Sequence, residues 1–420
     1  MSNNTNSNVI SAIFWPFGAL VSALKNWRQP WAMNVFWVVC IYMSFIHIYC
    51  PAGDVLGDGA DIGRYVLRLQ NMYQNSSSLQ DAILVNGKPD IYQPVVTYFV
   101  SRLTGEGHIL YLIFGLVFGF FYSRNVWYIL DKIPHQIPKC SWILIAMFFL
   151  VCPIWNVSGV RMWTALHVFA YGALQYLWEN NNKKLIWCAV TPFIHFSFML
   201  PLAVIVMYWV IPSRIKQGSL LLKTMFVLYV ATSFLNIFDI QTIGSYIERI
   251  APNLFENNIA GYLGDEYVQR INDAAEAKSL LFKINSFVSY SCTFFMTTWA
   301  FSTLNRKDES NSMNIRAAFS FGLLMYSIAN ILAIVPSGGR YITIAQMFVT
   351  PALLLCYTYY AIGSVRNNIT LVLKLYILPI LFSIRIGCES YGYNLFAGNF
   401  IWGLLIENNI SLITIIQNVL

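Results

Sequence analysis

The sequence predicts an all-α polytopic integral membrane protein with about ten transmembrane helices and with re-entrant or interfacial half-helices between them. Three observations carry that prediction. Hydrophobic residues make up 57% of the 420, charged residues only 11%, and mean hydropathy is +0.56, whereas soluble domains carry about 25% charged residues. Apolar runs of about 20 residues recur along the chain, the length that crosses about 30 Å of hydrocarbon. The short loops are rich in Lys and Arg, and one threading puts fifteen of the 26 basic residues on a single, cytoplasmic side.

Taken in order, residues 1–8 are a polar Asn/Ser tail and Val9 to Trp27 is an apolar stretch interrupted by Pro16 and Gly18, which suits the interface rather than a span. No small-residue cleavage site follows it, so no cleaved signal peptide is expected. Trp31 to Cys50 is the first span, and Lys25 and Arg28 before it place the N-terminus in the cytoplasm. The outer segment 51–108 then carries Asp54, Asp58, Asp61, Arg64, Arg68, Asp81 and Asp90. Within it, Ile62, Tyr65, Val66, Leu69 and Met72 have the spacing of an amphipathic helix over Ala60 to Gln74, and Tyr92 to Leu103 is apolar but too short to span.

Further spans are expected at 109–130, 141–156, 161–178, 220–238, 284–304, 315–336, 340–362, 370–388 and 395–412. Leu185 to Ile211 breaks the pattern. Lys183 and Lys184 precede it and Arg214 and Lys216 follow, so both ends favour the cytoplasm. Pro192, His195, Ser197 and Pro201 interrupt its middle, which predicts two half-helices meeting near His195. A second outer segment, 239–283, is rich in Asn, Asp and Glu. With no internal repeat and no linker, the chain reads as one transmembrane domain, 1–420.

Composition excludes several classes. The net charge of +7 is spread over many loops without a basic stripe, so no nucleic-acid partner is expected. Eight cysteines lie mostly in apolar runs without CxxC spacing and read as small apolar side chains. No zinc-protease, serine-hydrolase, Walker or dinucleotide fingerprint occurs, and neither a metal nor a cofactor is expected.

Arg161, Arg340 and Arg385 each stand at the outer end of an expected span. An arginine beside hydrocarbon costs about 2.5 to 3.5 kcal/mol on insertion scales, so it either snorkels to headgroups or serves a polar cavity. The guanidinium fork matches phosphate and pyrophosphate oxygens, and Gly338-Gly339 before Arg340 opens backbone amides at a helix start. In Gly57-Asp58-Gly59-Ala60-Asp61-Ile62-Gly63-Arg64-Tyr65, the alternatives are a solvated loop and a site where Asp58 or Asp61 serves as general base. His195 is either a structural residue of the break or a proton acceptor or substrate ligand, while His167 lies deeper in its helix and reads as structural.

Asp61, Arg64 and Tyr65, the Ser158-Gly159-Val160-Arg161 helix start, the Phe193-Ile194-His195-Phe196-Ser197 break and the Gly339-Arg340-Tyr341 turn together resemble the EpsG and Wzy-type polysaccharide polymerases. The resemblance spans about residues 30–390 and implies a fold similar to the GT-C membrane glycosyltransferases. It implies polymerisation of undecaprenyl-pyrophosphate-linked oligosaccharide repeats into O-antigen, capsule or exopolysaccharide at the outer face of the bacterial inner membrane. Asp58 or Asp61 would be the acid of the first outer loop, with Arg161, Arg340 and Arg64 on the pyrophosphate and His195, Tyr65, Tyr341 and Arg385 on the substrate. The partners implied are the lipid-linked donor and acceptor, membrane lipids, a chain-length regulator and a flippase. An O-antigen ligase and a transporter or flippase of lipid-linked sugars are the competing readings.

Overall fold

The computed structural model describes residues 10–47, 61–75, 78–84, 90–234, 279–307, 310–333, 338–361 and 363–405, and all regular elements among them are helices. The loop holding Asp58, most of the second outer segment and the end of the last expected span lie outside these residues. Among the described residues, five helical stretches are long and apolar enough to cross a membrane: Gly107–Leu130, Ser141–Glu179, Ser312–Leu332, Arg340–Tyr360 and Asn368–Tyr391. Ala32–Phe45, Phe196–Val210 and Ser219–Ser233 are shorter apolar helices.

The chain opens with α1 (Pro16–Lys25) and α2 (Ala32–Phe45). The amphipathic helix expected from Ala60 is α3 (Asp61–Asn75), which buries Tyr65, Val66, Leu69 and Met72, the face the spacing marked. A short α4 (Leu79–Leu84) follows, then α5 (Tyr92–Ser101), the half-length helix expected there. Arg68 ties the three together by donating to the Gln93 side chain at 3.3 Å and to the Ala82 carbonyl.

Helix α6 (Gly107–Leu130) packs closely on α2. A Cβ on Gly115 would lie 2.3 Å from Ser44 and one on Gly119 2.6 Å from the Cys40 Cβ. Small residues four apart on both helices therefore let the backbones approach, as membrane helices do in the absence of a hydrophobic drive between them.

The span expected at 141–156 ends early. Its helix α7 (Ser141–Val151) stops before Pro153, and a 3₁₀ stretch, Ile154–Gly159, leads into α8 (Val160–Glu179). His167 in α8 is fully buried, with Nε2 3.0 Å or less from the Cys152 carbonyl (2.9 Å), and its own carbonyl accepts from Asn125 at 2.8 Å. It braces α6 and α7 against α8, the structural role expected of it.

The interrupted segment is a hairpin of α9 (Leu185–Ile194) and α10, which runs Met199–Val210 after a 3₁₀ turn at Phe196–Phe198. At the break His195 is extended, with φ −150° and ψ 117°. The hairpin returns to its starting level, because Trp209 Nε1 donates to Asn182 Oδ1 at 3.2 Å and Lys216 reaches the Tyr176 hydroxyl.

The second half comprises α11 (Ser219–Ser233), α12 (Leu280–Leu304), α13 (Ser310–Leu332), α14 (Arg340–Tyr360), α15 (Gly363–Leu375) and α16 (Ile377–Tyr391). The span expected at 370–388 is divided at Tyr376. Pro379 explains the break, since it has no N–H for the carbonyl four residues before it and its ring crowds that carbonyl.

The charges sort by end. At one end Lys132 pairs with Glu179 at 3.3 Å, Arg28 donates to the Pro134 carbonyl at 2.7 Å, and Tyr359 donates to the Lys132 carbonyl at 2.8 Å. The opposite ends of α8 and α14, together with the apex of the hairpin, frame a different set of groups.

Candidate functional site

Helices α8 and α14 both begin at this second end, and neither has a side-chain N-cap. Each begins just after a glycine, Gly159 or Gly339, and carries an arginine in its first turn. At α14 the Tyr341 and Ile342 amides already donate to the Gly338 and Gly339 carbonyls at 2.9 and 3.1 Å, so what the two starts present beside their guanidinium groups is the positive ends of two helix dipoles, all of one sign.

They meet at a cavity of about 390 Å³ lined by Ile62, Tyr65, Ser158, Gly159, Arg161, Met162, Trp163, His195 and Arg340. Arg161 and Arg340, 179 positions apart (340 − 161), therefore share one chamber, together with His195 and Tyr65. Gly159 makes room for the indole of Trp163 at the rim, since a Cβ there would lie 2.7 Å from that ring.

Beneath the cavity sits Asp90, only 1% exposed. Its Oδ2 accepts from Arg161 Nη1 at 2.9 Å and from His195 Nδ1 at 3.1 Å, and its Oδ1 accepts from the Phe196 amide at 2.6 Å. The neighbouring Ile91 amide donates to the Phe193 carbonyl at 2.9 Å. A break inside apolar surroundings leaves a free carbonyl on one side and a free amide on the other, and the Asp90-Ile91 dipeptide satisfies both. In effect Asp90 caps the Phe196 helix start from another part of the chain.

Burial pushes the Asp90 carboxyl up, but the hydrogen bonds from His195 and the Phe196 amide and the charges of His195 and Arg161 outweigh it and hold the carboxyl below its ordinary range. Asp90 is therefore ionised at neutral pH. No family model, no curated protein and no solved structure matches the chain. The site is thus read from its own geometry.

Among the other sequence-marked residues, Tyr65 accepts from Arg161 Nε at 3.2 Å through its hydroxyl. Tyr341 donates to the Ser197 carbonyl at 3.0 Å and so pins α14 to the hairpin apex, outside the cavity lining. Arg64 is on the exposed side of α3. Asp61 opens α3 one residue before the cavity-lining Ile62, and Asp58 lies outside the described residues. Arg385 does not line the cavity. It is 57% exposed on α16 and pairs with Glu389 one turn on, at 2.7 Å, because a long side chain on an outward face meets its i+4 neighbour first.

The residue that sequence reasoning left undistinguished is Asp90, one carboxylate among several in the first outer segment. Its signal was local. A lone acid directly before a short apolar helix has to be satisfied by something that the helix does not supply. Trp163 and Ser158 of the lining were likewise given no role of their own. Among the described residues no cluster of His, Cys, Asp and Glu is suited to a metal ion.

Proposed function

We propose that this chain is a membrane glycosyltransferase of the polysaccharide-polymerase type, transferring a growing glycan from its lipid pyrophosphate onto a new lipid-linked repeat. The observation that carries the reading is the meeting of Arg161 and Arg340 at one cavity formed by two uncapped helix starts. As the bond to pyrophosphate breaks, negative charge grows on the leaving group; the Arg161 guanidinium, held by Asp90 and Tyr65, and the two helix dipoles stabilise it in place, and the exposed Arg340 adds its charge. Trp163 and Tyr65 on the same wall offer aromatic faces to sugar rings. A base for the acceptor hydroxyl is also required, for which the sequence offers Asp58 and Asp61.

In this reading the bundle has about ten spans and a GT-C-like arrangement, with the cavity on the outer face of a bacterial inner membrane and both termini in the cytoplasm. An alkaline-phosphatase fusion after Asn258 is then active, and a cysteine replacing Tyr208 is not labelled from outside. An inactive fusion reverses the orientation.

The decisive assay supplies purified full-length protein with lipid-linked repeats alone. Ladders of increasing length are expected, whereas a ligase without its own acceptor makes none. Arg340→Lys should lose at least about tenfold in rate, because a point charge does not reproduce the bidentate fork. Full-length ladders from that variant remove the pyrophosphate role of Arg340.

A further inference from the structure

We infer that His195, oriented by Asp90, is the proton acceptor of this site. The inference rests on the glycosyl-transfer reading above and puts His195, rather than Asp58 or Asp61, in the place of its base.

The geometry begins with the ring. His195 lines the cavity and its Nδ1 lies 3.1 Å from Asp90 Oδ2. Asp90 is ionised and accepts only, so Nδ1 carries a hydrogen and donates it. In the neutral ring the lone pair must then be on Nε2, the nitrogen for which the described residues supply no partner. A buried carboxylate thus selects the tautomer, fixes the ring plane and stabilises the imidazolium once a proton arrives, the three services an orienting acid performs for a histidine base.

Asp90 itself is a poor candidate for the base. Three donors from Arg161, His195 and the Phe196 amide already occupy its two oxygens, and it is almost fully buried. It is a positioning residue. Among the described residues, Arg161 and Arg340 are the charged groups that line the cavity with His195, Asp90 holds its Nδ1, and the Tyr65 hydroxyl lies on Arg161.

The step balances as follows. The acceptor hydroxyl gives its proton to Nε2 while its oxygen forms a bond to the anomeric carbon of the donor sugar. The bond from that carbon to the pyrophosphate oxygen breaks, and its electron pair leaves with the pyrophosphate, beside Arg161 and Arg340. The proton then passes from Nε2 to the released pyrophosphate or to water. Placing base and cations on one wall of one chamber puts both ends of the transfer within reach of a single bound sugar.

The test uses full-length protein in detergent with lipid-linked repeats. His195→Gln is expected to lower kcat by about 100-fold or more, in the range of general-base removal, with KM for the donor changed less than threefold, ~0.6 kcal/mol being the most that binding then accounts for. The wild-type kcat should fall on the acid side with a single-proton limb that His195→Gln lacks. A variant with more than a third of wild-type kcat, or a loss confined to KM, overturns the inference.

A second measurement does not depend on catalysis. Diethyl pyrocarbonate with peptide mass mapping should modify His195 in the wild-type protein, with exposed His135 as internal control, and inorganic pyrophosphate should shield His195 but not His135. Failure to modify His195 while His135 reacts overturns the inference. Modification and shielding in a protein that forms no ladders supports the Asp90-His195 pair and removes the polymerase reading.

Discussion

Cations stand at opposite ends of the molecule, buried at one and part-open at the other, and they are satisfied in different ways. At the hairpin's base Lys216, 7% exposed, donates to the Tyr176 hydroxyl and the Trp209 carbonyl and lies over the rings of Tyr176 and Tyr208. Arg316, 3% exposed, donates to the carbonyls of Gln217 and Leu304 at 2.8 Å each and to that of Lys307. At the apex, Arg161 instead meets a buried carboxylate and keeps 24% of its side chain open to a cavity. Carbonyls and aromatic faces serve a cation that closes loops. An ionised acid behind a part-open guanidinium serves one that has a second face to offer.

Removing either arrangement should expose that difference. The largest effect is expected from Asp90→Ala, which removes the ionised partner of Arg161 and leaves the Phe196 amide without its acceptor. Loss of one member of a buried, hydrogen-bonded pair costs about 3 kcal/mol or more, and denaturant unfolding in detergent measures it. Retention of wild-type stability would mean that the apex is held by apolar packing alone.

The same carboxylate sets a pH dependence. Its pKa in the folded protein lies below the ordinary value, so folding favours the charged form. The stabilisation is fully present above the unfolded value of about 3.9 and is lost as pH falls through the lower folded value. Unfolding midpoints of wild type and Asp90→Asn should therefore differ at pH 5 to 7 and draw together as pH falls below the unfolded value of about 3.9. Parallel curves over that whole range would assign the difference to shape rather than charge.

Lys216→Met is expected to be nearly neutral, within about 1 kcal/mol, because an apolar side chain of similar length avoids the desolvation that lowers the lysine's pKa. Ladder formation should persist. A loss like that of Asp90→Ala would show that the two ends are equivalent after all. The smallest effect belongs to Arg385→Ala. Exposed i,i+4 pairs contribute about 0.3 to 0.5 kcal/mol, so neither unfolding nor rate should change by more than that.

Much of this architecture was legible because membrane-buried charge and proline are rare enough to stand out. Pro192 and Pro201 within an apolar run flanked by Lys183, Lys184, Arg214 and Lys216 marked the hairpin, and Arg161 and Arg340 marked the cavity that they line. Two details of the structure have local causes that were also in view. Glu389 stands four residues after Arg385, the spacing that consumes a surface arginine, and Pro379 stands where the span expected at 370–388 divides. Asp90 was hidden for a different reason. Its partners are 71 and 105 positions away, and nothing in hydropathy or periodicity tells a carboxylate that receives three donors from one that faces water.

The return of Trp209 to Asn182 also bears on how the protein is made. Leu185 to Ile211 contains 27 residues (211 − 185 + 1), enough for an insertion machinery to treat it as a crossing, yet its finished form begins and ends at one level. Its apex is received by Asp90 and Ile91, which leave the ribosome about a hundred residues earlier. Synthesis thus sets out the dock before the piece that fits it. A nascent chain stalled with Lys216 just clear of the ribosome should already hold its hairpin seated, with the sidedness of everything downstream decided before α11 emerges.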